Sequence, residues 1–331
     1  MRLLITGGAG FIGCNFVRHA LDTREDARVR VLDKLTYAGS RENLADLLDD
    51  PRLEFVEGDI CDQETIEAAM QGVEVVAHLA AESHVDRSII SAEAAVETNF
   101  TGSFRVFEAA RAANVRRVLH VSTDEVYGAC LGEPFSEDDP LTPRNPYAAT
   151  KAGADRLAHS YFVTYDLPLI IARPSNNYGP WQYPEKLIPF FTWRALHDEH
   201  LPVYGDGMQI RDWLHVADHC RALMLLIEQG VPGEAYNIHG DNERPNMETI
   251  RLIIDELGKP ESLIRHVEDR PGHDIRYAMD ASKIAALGWR PEVQWKQGIR
   301  ETVRWFADNS AWMQRAMARS RDYFEAWYEG R

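Results

Sequence analysis

Cysteine is scarce in this 331-residue chain: Cys14, Cys61, Cys130 and Cys220 form no C-x-x-C pair and no metal-ligand spacing. That excludes a disulfide-stapled scaffold or a thiolate metal site, and reads as reduced thiols in a cytoplasmic protein. Positive charge is also in deficit. The 36 Lys and Arg face 52 Asp and Glu, a net charge of −16, which argues against a nucleic-acid or anionic-membrane partner. A small phosphorylated ligand stays admissible, because a pocket can be locally positive on an acidic protein. Long apolar runs are missing, and those such as Leu167 to Ala172 fall far short of the ~20 residues of a membrane span. Met1-Arg2 leads straight into a strand-like Leu3-Leu4-Ile5, a start with no sign of a targeting segment. Repeats, low-complexity tracts and a Gly/Ser linker are lacking, as are His/Asp/Glu groups with metal spacing, so no metal is expected.

What is present is an alternation of short β-branched runs and longer helical patterns. Strands are expected at Leu3–Thr6, Val29–Leu32, Leu53–Glu57, Val73–Leu79, Val118–Ser122 and Leu169–Ala172, with helices beginning near Phe11, Arg41, Gln63, Ala92 and Tyr147. Apolar runs without polar alternation suit strands covered on both faces, so the pattern predicts an α/β fold with a doubly wound parallel sheet. After Tyr178 the rhythm breaks at Pro180, Trp181, Tyr183, Pro184 and Pro189, and two helical stretches, Glu301–Asp308 and Ala311–Trp327, close the chain. The expected organisation is a first domain over 1–178, a smaller α/β substrate domain over 179–331, and a cleft between them. The segment 213–240 is able to rejoin the first domain.

Thr6-Gly7-Gly8-Ala9-Gly10-Phe11-Ile12-Gly13 follows the first strand and opens a helix, with Gly7, Gly10 and Gly13 in G-x-x-G-x-x-G spacing. Missing side chains let the backbone approach a pyrophosphate at a helix N-terminus, as in Rossmann-type dinucleotide sites. The next strand ends at Asp33, where a carboxylate can accept hydrogen bonds from a ribose diol and repels a 2′-phosphate. NAD is therefore expected; Lys34, which follows at once, keeps NADP open.

Tyr147 and Lys151 lie four residues apart, on one face of a helix that Pro146 can start. A lysine ammonium beside a phenol favours phenolate, lowering a pKa ordinarily about 10. Upstream, the Val118–Ser122 strand delivers Thr123, Asp124 and Glu125 to its C-terminal end, the edge where open α/β sheets place ligands.

The glycine pattern, Thr123 and the Tyr147/Lys151 pair resemble an extended short-chain dehydrogenase/reductase. Over nearly the whole chain the resemblance is to the dTDP-glucose 4,6-dehydratases. The runs that carry it are Asp33–Gly39, Ala80–Ser88, Ser122–Gly128, Ser175–Pro180, Pro184–Pro189, Arg211–Leu214 and Arg270–Asp274. Asp124-Glu125 is the sharpest of them: sugar-nucleotide epimerases usually lack the pair, and related dehydratases and decarboxylases resemble Ser-Glu there.

The resemblance implies that Tyr147, supported by Lys151, takes the proton of the hexose 4-hydroxyl while hydride passes from C4 to NAD, with Thr123 holding that oxygen. Glu125 then removes the C5 proton, Asp124 protonates the departing 6-hydroxyl, and the hydride returns to C6. It implies a cofactor site at Gly7, Gly10, Phe11, Ile12, Gly13, Asp33, Lys34, Leu35, Thr36, Asp59, Ile60, Leu79, Ala80, Ala81, Ser83, Thr98 and Asn177, together with Tyr147 and Lys151. It implies a nucleotide-diphosphate sugar held by Ser83, Thr123, Asn176, Glu185, Lys186, Leu187, Pro202, Val203, Tyr204, Arg211, Asn246, Asp269, Arg270, Pro271, Gly272 and His273, and a homodimer formed through helices of the first domain. Two features depart from the family pattern: a short segment from Cys130 to Pro146, and Pro174 in place of a common cysteine. A UDP-sugar dehydratase, an epimerase and a catalytically silent NAD-binding regulator remain open alternatives. Trp305, Phe306, Trp312, Phe324 and Trp327 are expected to be core, and His84 suits a structural or an active-site place equally.

Overall fold

A computed structural model describes residues 1–269 and 273–319. Its main sheet has seven parallel strands: β1 (Arg2–Thr6), β2 (Arg28–Asp33), β3 (Leu53–Glu57), β4 (Val75–His78), β5 (Arg117–Val121), β6 (Leu169–Pro174) and, far along the chain, β10 (Ala235–Ile238). They lie in the order β10-β6-β5-β4-β1-β2-β3. The winding direction reverses between β1 and β4, and a crevice forms at the C-terminal ends of the strands where such a reversal occurs.

The uninterrupted apolar strands are explained by the two faces they serve. Leu3 and Ile5 of β1 enter one core with Val29, Val31, Val75 and Leu119, while Leu4 enters the opposite core with Leu32, Val76 and Val118. Helices Phe11–Thr23 and Val216–Gln229 cover the first face through Phe16, Cys14, Cys220 and Leu223. Helices Gln63–Met70, Ser103–Ala112 and Pro146–Tyr165 cover the second through Ile66, Phe107 and Tyr161. Each such fully buried aliphatic or aromatic side chain is worth roughly 1.5–3 kcal/mol of transfer free energy.

Past β6 come a three-stranded sheet of β7 (Asn176–Tyr178), β9 (Ile210–His215) and β11 (Glu243–Pro245), and a two-stranded pair of β8 (Leu201–Tyr204) with β12 (Ile264–Val267). Phe190, Phe191, Trp213, Ile250, Trp295, Phe306 and Trp312 form their shared core, with Trp305 partly buried against it. Phe324 and Trp327 lie outside the described residues. Among the described residues, no helix is long and apolar enough to cross a membrane.

Two local expectations need correction. The helix expected from Arg41 is a single 3-10 turn, Arg41–Leu44. Tertiary contacts fix it there: Asn43 turns inward, donating to Ala9 O (2.8 Å) and accepting from Trp312 Nε1 (2.9 Å). An unforeseen helix, Val85–Ile90, is started by His84, whose ring accepts from Arg87 N (3.3 Å). His84 thus has a structural task, although it also lines a cleft.

Candidate active site

Two adjoining clefts open along the C-terminal edge of the main sheet, and Gln182, Glu185 and Lys186 belong to the walls of both. The first begins at the glycine turn. Gly7 adopts φ +71°, and a Cβ on it would sit 2.7 Å from the Ala80 backbone; a Cβ on Gly13 would come within 2.1 Å of Gly7 O. Only glycine lets this turn close against β4 and the helix start. No side chain caps the Phe11–Thr23 helix at Gly10, and Phe11, Ile12 and Gly13 line the cleft, so first-turn N–H groups are presented to an anion there. Asp33 ends β2 with both carboxylate oxygens anchored, Oδ2 accepting from Ala9 N (2.9 Å) and Oδ1 from Leu35 N (2.8 Å). Lys34 pairs with Asp59 at 2.6 Å, so its charge is already engaged next to the carboxylate that disfavours a 2′-phosphate. Thr36, Asp59, Ile60, Leu79, Ala80, Ala81, Ser83 and Thr98 complete the wall. The arrangement fits a dinucleotide with an unphosphorylated ribose. Leu35 serves through its backbone N–H rather than the wall, and Asn177 falls in the second cleft.

The second cleft gathers Asn176, Glu185, Lys186, Leu187, Pro202, Val203, Tyr204, Arg211, Asn246 and His273, residues scattered over seventy and more positions of chain. Buried Oδ1 atoms of Asn176 and Asn246 have no hydrogen-bond partner among the described residues, a costly state unless a ligand supplies one. The Arg211 guanidinium stacks over the Tyr277 ring (4.5 Å) and donates to Ile210 O and Asp274 O. Lys186 Nζ reaches across to Ser83 O (2.7 Å). His273 Nδ1 contacts Asp269 Oδ1 (2.6 Å), whose other oxygen accepts from Gln209. Glu185, in this wall, is tied on both oxygens, accepting from Tyr37 Oη (3.2 Å) and Arg87 Nε (3.0 Å), and burial raises its pKa. Arg270, Pro271 and Gly272 lie outside the described residues.

Of the groups of the expected chemistry, Glu125 lines the second cleft, while Thr123, Asp124, Tyr147 and Lys151 are buried past the end of β5 and at the start of the Pro146–Tyr165 helix, in neither cleft wall. Thr123 caps the 3-10 turn Asp124–Tyr127, and its Oγ1 donates to Asp124 Oδ1 (3.1 Å) and accepts from Glu125 N (3.3 Å). This turn sends the two carboxyl groups to unlike places. Asp124 is 4 % exposed, and its Oδ2 has no partner among the described residues. Burial first, then the Glu125 charge, raise its pKa well above the usual carboxylate value, which favours the neutral acid. Glu125 lines the second cleft and accepts from Asn145 Nδ2 (3.2 Å) and Tyr277 Oη (3.4 Å).

Tyr147 and Lys151 sit on the Pro146–Tyr165 helix, started by Asn145 as cap (Ala148 N to Oδ1, 2.8 Å) and Pro146 at its first position. Lys151 Nζ donates to Val121 O (2.7 Å), and burial brings its pKa down to about 8. The expectation of a lowered Tyr147 pKa is not met in the protein by itself. Burial and the Glu125 charge push it up, against the opposing effect of its hydrogen bond with Thr123. Three contributors escaped sequence reasoning. Tyr277 and Gln182 carry no local signal, and Asn145 showed only as a position before Pro146.

The family described as GDP-mannose 4,6 dehydratase matches residues 4–302. The chain is 53 % identical to the low-salt glycan biosynthesis protein Agl12 of Haloferax volcanii, covering 92 % of this chain and 98 % of that one. It is 45 % identical to dTDP-glucose 4,6-dehydratase 1 of Escherichia coli K12, covering all of both. The crystal structure of DesIV, a dTDP-glucose 4,6-dehydratase from Streptomyces venezuelae with NAD and a second ligand bound, superposes with a TM-score of 0.93 at 49 % identity, covering 96 % of this chain and 100 % of that one. The chain belongs to the GDP-mannose 4,6 dehydratase family, sugar-nucleotide dehydratases of the extended short-chain dehydrogenase/reductase superfamily.

Proposed function

We propose that this chain is an NAD-dependent dTDP-glucose 4,6-dehydratase, converting dTDP-glucose to dTDP-4-keto-6-deoxyglucose. The observation that carries the reading is the divided carboxylate pair: Asp124 buried, which favours its neutral form, and Glu125 beside it in the cleft wall. An elimination needs an acid for the leaving hydroxyl and a base for the C5 proton at the same moment, and unlike environments supply both from neighbouring residues. A simple epimerase has no use for them.

NAD, which Gly7, Gly10, Gly13 and Asp33 would hold in the first cleft, would supply the hydride acceptor and donor and, when oxidised, positive charge near the reacting sugar. Tyr147 accepts the proton of the 4-hydroxyl, Lys151 supports it electrostatically, and Thr123 orients that oxygen. The 4-ketone acidifies the C5 hydrogen; Glu125 removes it, Asp124 gives its proton to the 6-hydroxyl, water leaves, and C5 takes a proton back as C6 receives the hydride. Lys186 and Arg211 face the diphosphate, Asn176 and Asn246 offer their unpaired oxygens to the ligand, and Pro202, Val203 and Tyr204 border the base. In this reading residues 1–178 with the Val216–Gln229 and Ala235–Ile238 elements hold the cofactor, and the rest hold the nucleotide sugar.

Exposed Ile90 (59 %), Val96 (48 %) and Phe100 (41 %) support a homodimer through this helical face, which sedimentation of wild type against an Ile90→Glu variant checks. Four free cysteines suit a cytoplasmic location. Incubation with dTDP-glucose and, separately, UDP-glucose tests the substrate. Turnover of dTDP-glucose without added reductant supports the reading, and a preference for UDP-glucose moves the assignment. A single thymine methyl contact gives only ~1–3 kcal/mol of discrimination, so relative rates are the quantity to compare.

A further inference from the structure

Arg173 is the largest wholly buried side chain among the described residues, and none of the chemistry above uses it. It lies on β6 behind the active site. Nε and Nη2 donate to the two oxygens of Asp155 (2.8 and 2.9 Å), and Nη1 donates to Tyr127 Oη (2.5 Å) and Glu137 O (3.1 Å). Its partners divide between the two segments that bear the reacting groups. Asp155 is one helical turn beyond Lys151 on the helix that also carries Tyr147. Tyr127 ends the turn that starts with Asp124 and Glu125. Tyr127 Oη in turn donates to Asn237 Oδ1 (2.8 Å) on β10, and its ring stacks on Phe135.

A buried cation is expensive, and an apolar residue in its place is often at least as stable. What the guanidinium supplies that an apolar side chain cannot is a rigid planar fork with donors pointing in two fixed directions. Here one edge grips the oxidation helix and the other the elimination turn. We propose that Arg173 is a positioning residue that sets the spacing between the Tyr147/Lys151 pair and the Asp124/Glu125 pair, so that one bound sugar meets both without moving.

The inference rests on the dehydratase reading, and its test separates the two. Holoenzyme is mixed with dTDP-glucose while the near-ultraviolet absorbance of reduced nicotinamide and the 4-keto-6-deoxy product are followed together. Tyr127→Phe releases the turn but keeps the helix tied, and elimination slows by about tenfold to a hundredfold, the scale of a small misplacement of reacting groups. Reduced cofactor then accumulates at steady state. Asp155→Asn loosens the helix, so oxidation slows and no reduced cofactor accumulates. KM for dTDP-glucose stays near wild type in both, because neither residue lines a cleft. If Asp155→Asn does not fold, Tyr127→Phe decides the matter by itself. A Tyr127→Phe variant with a lower melting temperature but wild-type kcat and no accumulation assigns Arg173 a purely structural role and overturns the inference alone. A wild-type enzyme that makes no such product overturns the reading and the inference together.

Discussion

Replacing Asp124 by Asn separates oxidation from elimination. Asp124 Oδ1 accepts from Thr123 Oγ1 at 3.1 Å, while Oδ2 is buried without a partner among the described residues and in the proposed mechanism carries the acid proton. An amide keeps the shape and the Thr123 contact but cannot protonate a leaving hydroxyl. Loss of a positioned general acid costs about 10²–10⁴ in rate, or roughly 3–5 kcal/mol of barrier. That loss falls on the elimination alone. In the proposed mechanism C4 oxidation runs through Tyr147 and Lys151, and exchanging a neutral buried acid for a neutral amide leaves the charge around Tyr147 unchanged, so proton transfer there is not impeded. Stopped-flow mixing with dTDP-glucose reads oxidation as reduced-nicotinamide absorbance, and quenched samples read the product. The variant is expected to form bound reduced cofactor at a near wild-type rate and release product slowly. Equal slowing of both steps refutes the assignment. Stability supplies a second sign. The folded pKa is raised, so the Asp124 contribution is fully present below the unfolded value and is lost as pH rises through the folded one. Asp124→Asn should therefore gain stability relative to wild type as pH rises above about 4, and a gap that shrinks with rising pH contradicts the buried-acid picture.

Lys151, brought from 10.5 to about 8, makes the unfolded chain the better proton binder between those values, so wild-type stability in urea should rise by about 3 kcal/mol across that window. Lys151→Met abolishes the rise, and a slope retained in the variant counts against the burial of this amine. In Gly13→Ala the new methyl meets Gly7 O at 2.1 Å, an overpacking worth roughly 1–3 kcal/mol. The purified variant should carry little NAD by mass spectrometry, and full occupancy would show that the turn tolerates a side chain. Asp33→Asn turns an amide N–H₂ toward one of two backbone donors, at Ala9 and Leu35, costing ~1–3 kcal/mol. Titration should find the preference for NAD over NADP narrowed, and an unchanged ratio would remove Asp33 from cofactor choice.

The features legible in sequence were those set by neighbours in the chain. The glycine turn, the Tyr147/Lys151 spacing and the helix start at Pro146 each need only a few consecutive residues. Asp124 and Glu125 were visible as a pair, but their unlike roles come from how one 3-10 turn sinks the first and leaves the second in the wall. Tyr277 reaches Glu125 across 152 positions, and Arg173 reaches Asp155 and Tyr127 only because β6 runs behind both. Contacts of that kind leave no periodic trace. The same physics explains the misread Arg41 helix, where Asn43 bonds to Ala9 and Trp312 instead of extending a helical turn. Net charge misled in one respect: the −16 surface surrounds a cleft that presents Lys186, Arg211 and His273 to an anionic substrate.

The central claim is that hydride leaves C4 and comes back to C6 of the same sugar while Asp124 and Glu125 expel water in between. The most direct measurement gives the purified holoenzyme dTDP-glucose carrying deuterium at C4, with no external reductant, and locates the label by NMR and mass spectrometry. The account predicts a 4-keto-6-deoxy product with the deuterium at C6 and no net change in cofactor redox state. Deuterium kept at C4 in an epimerised sugar, or retained in released reduced cofactor, would contradict it.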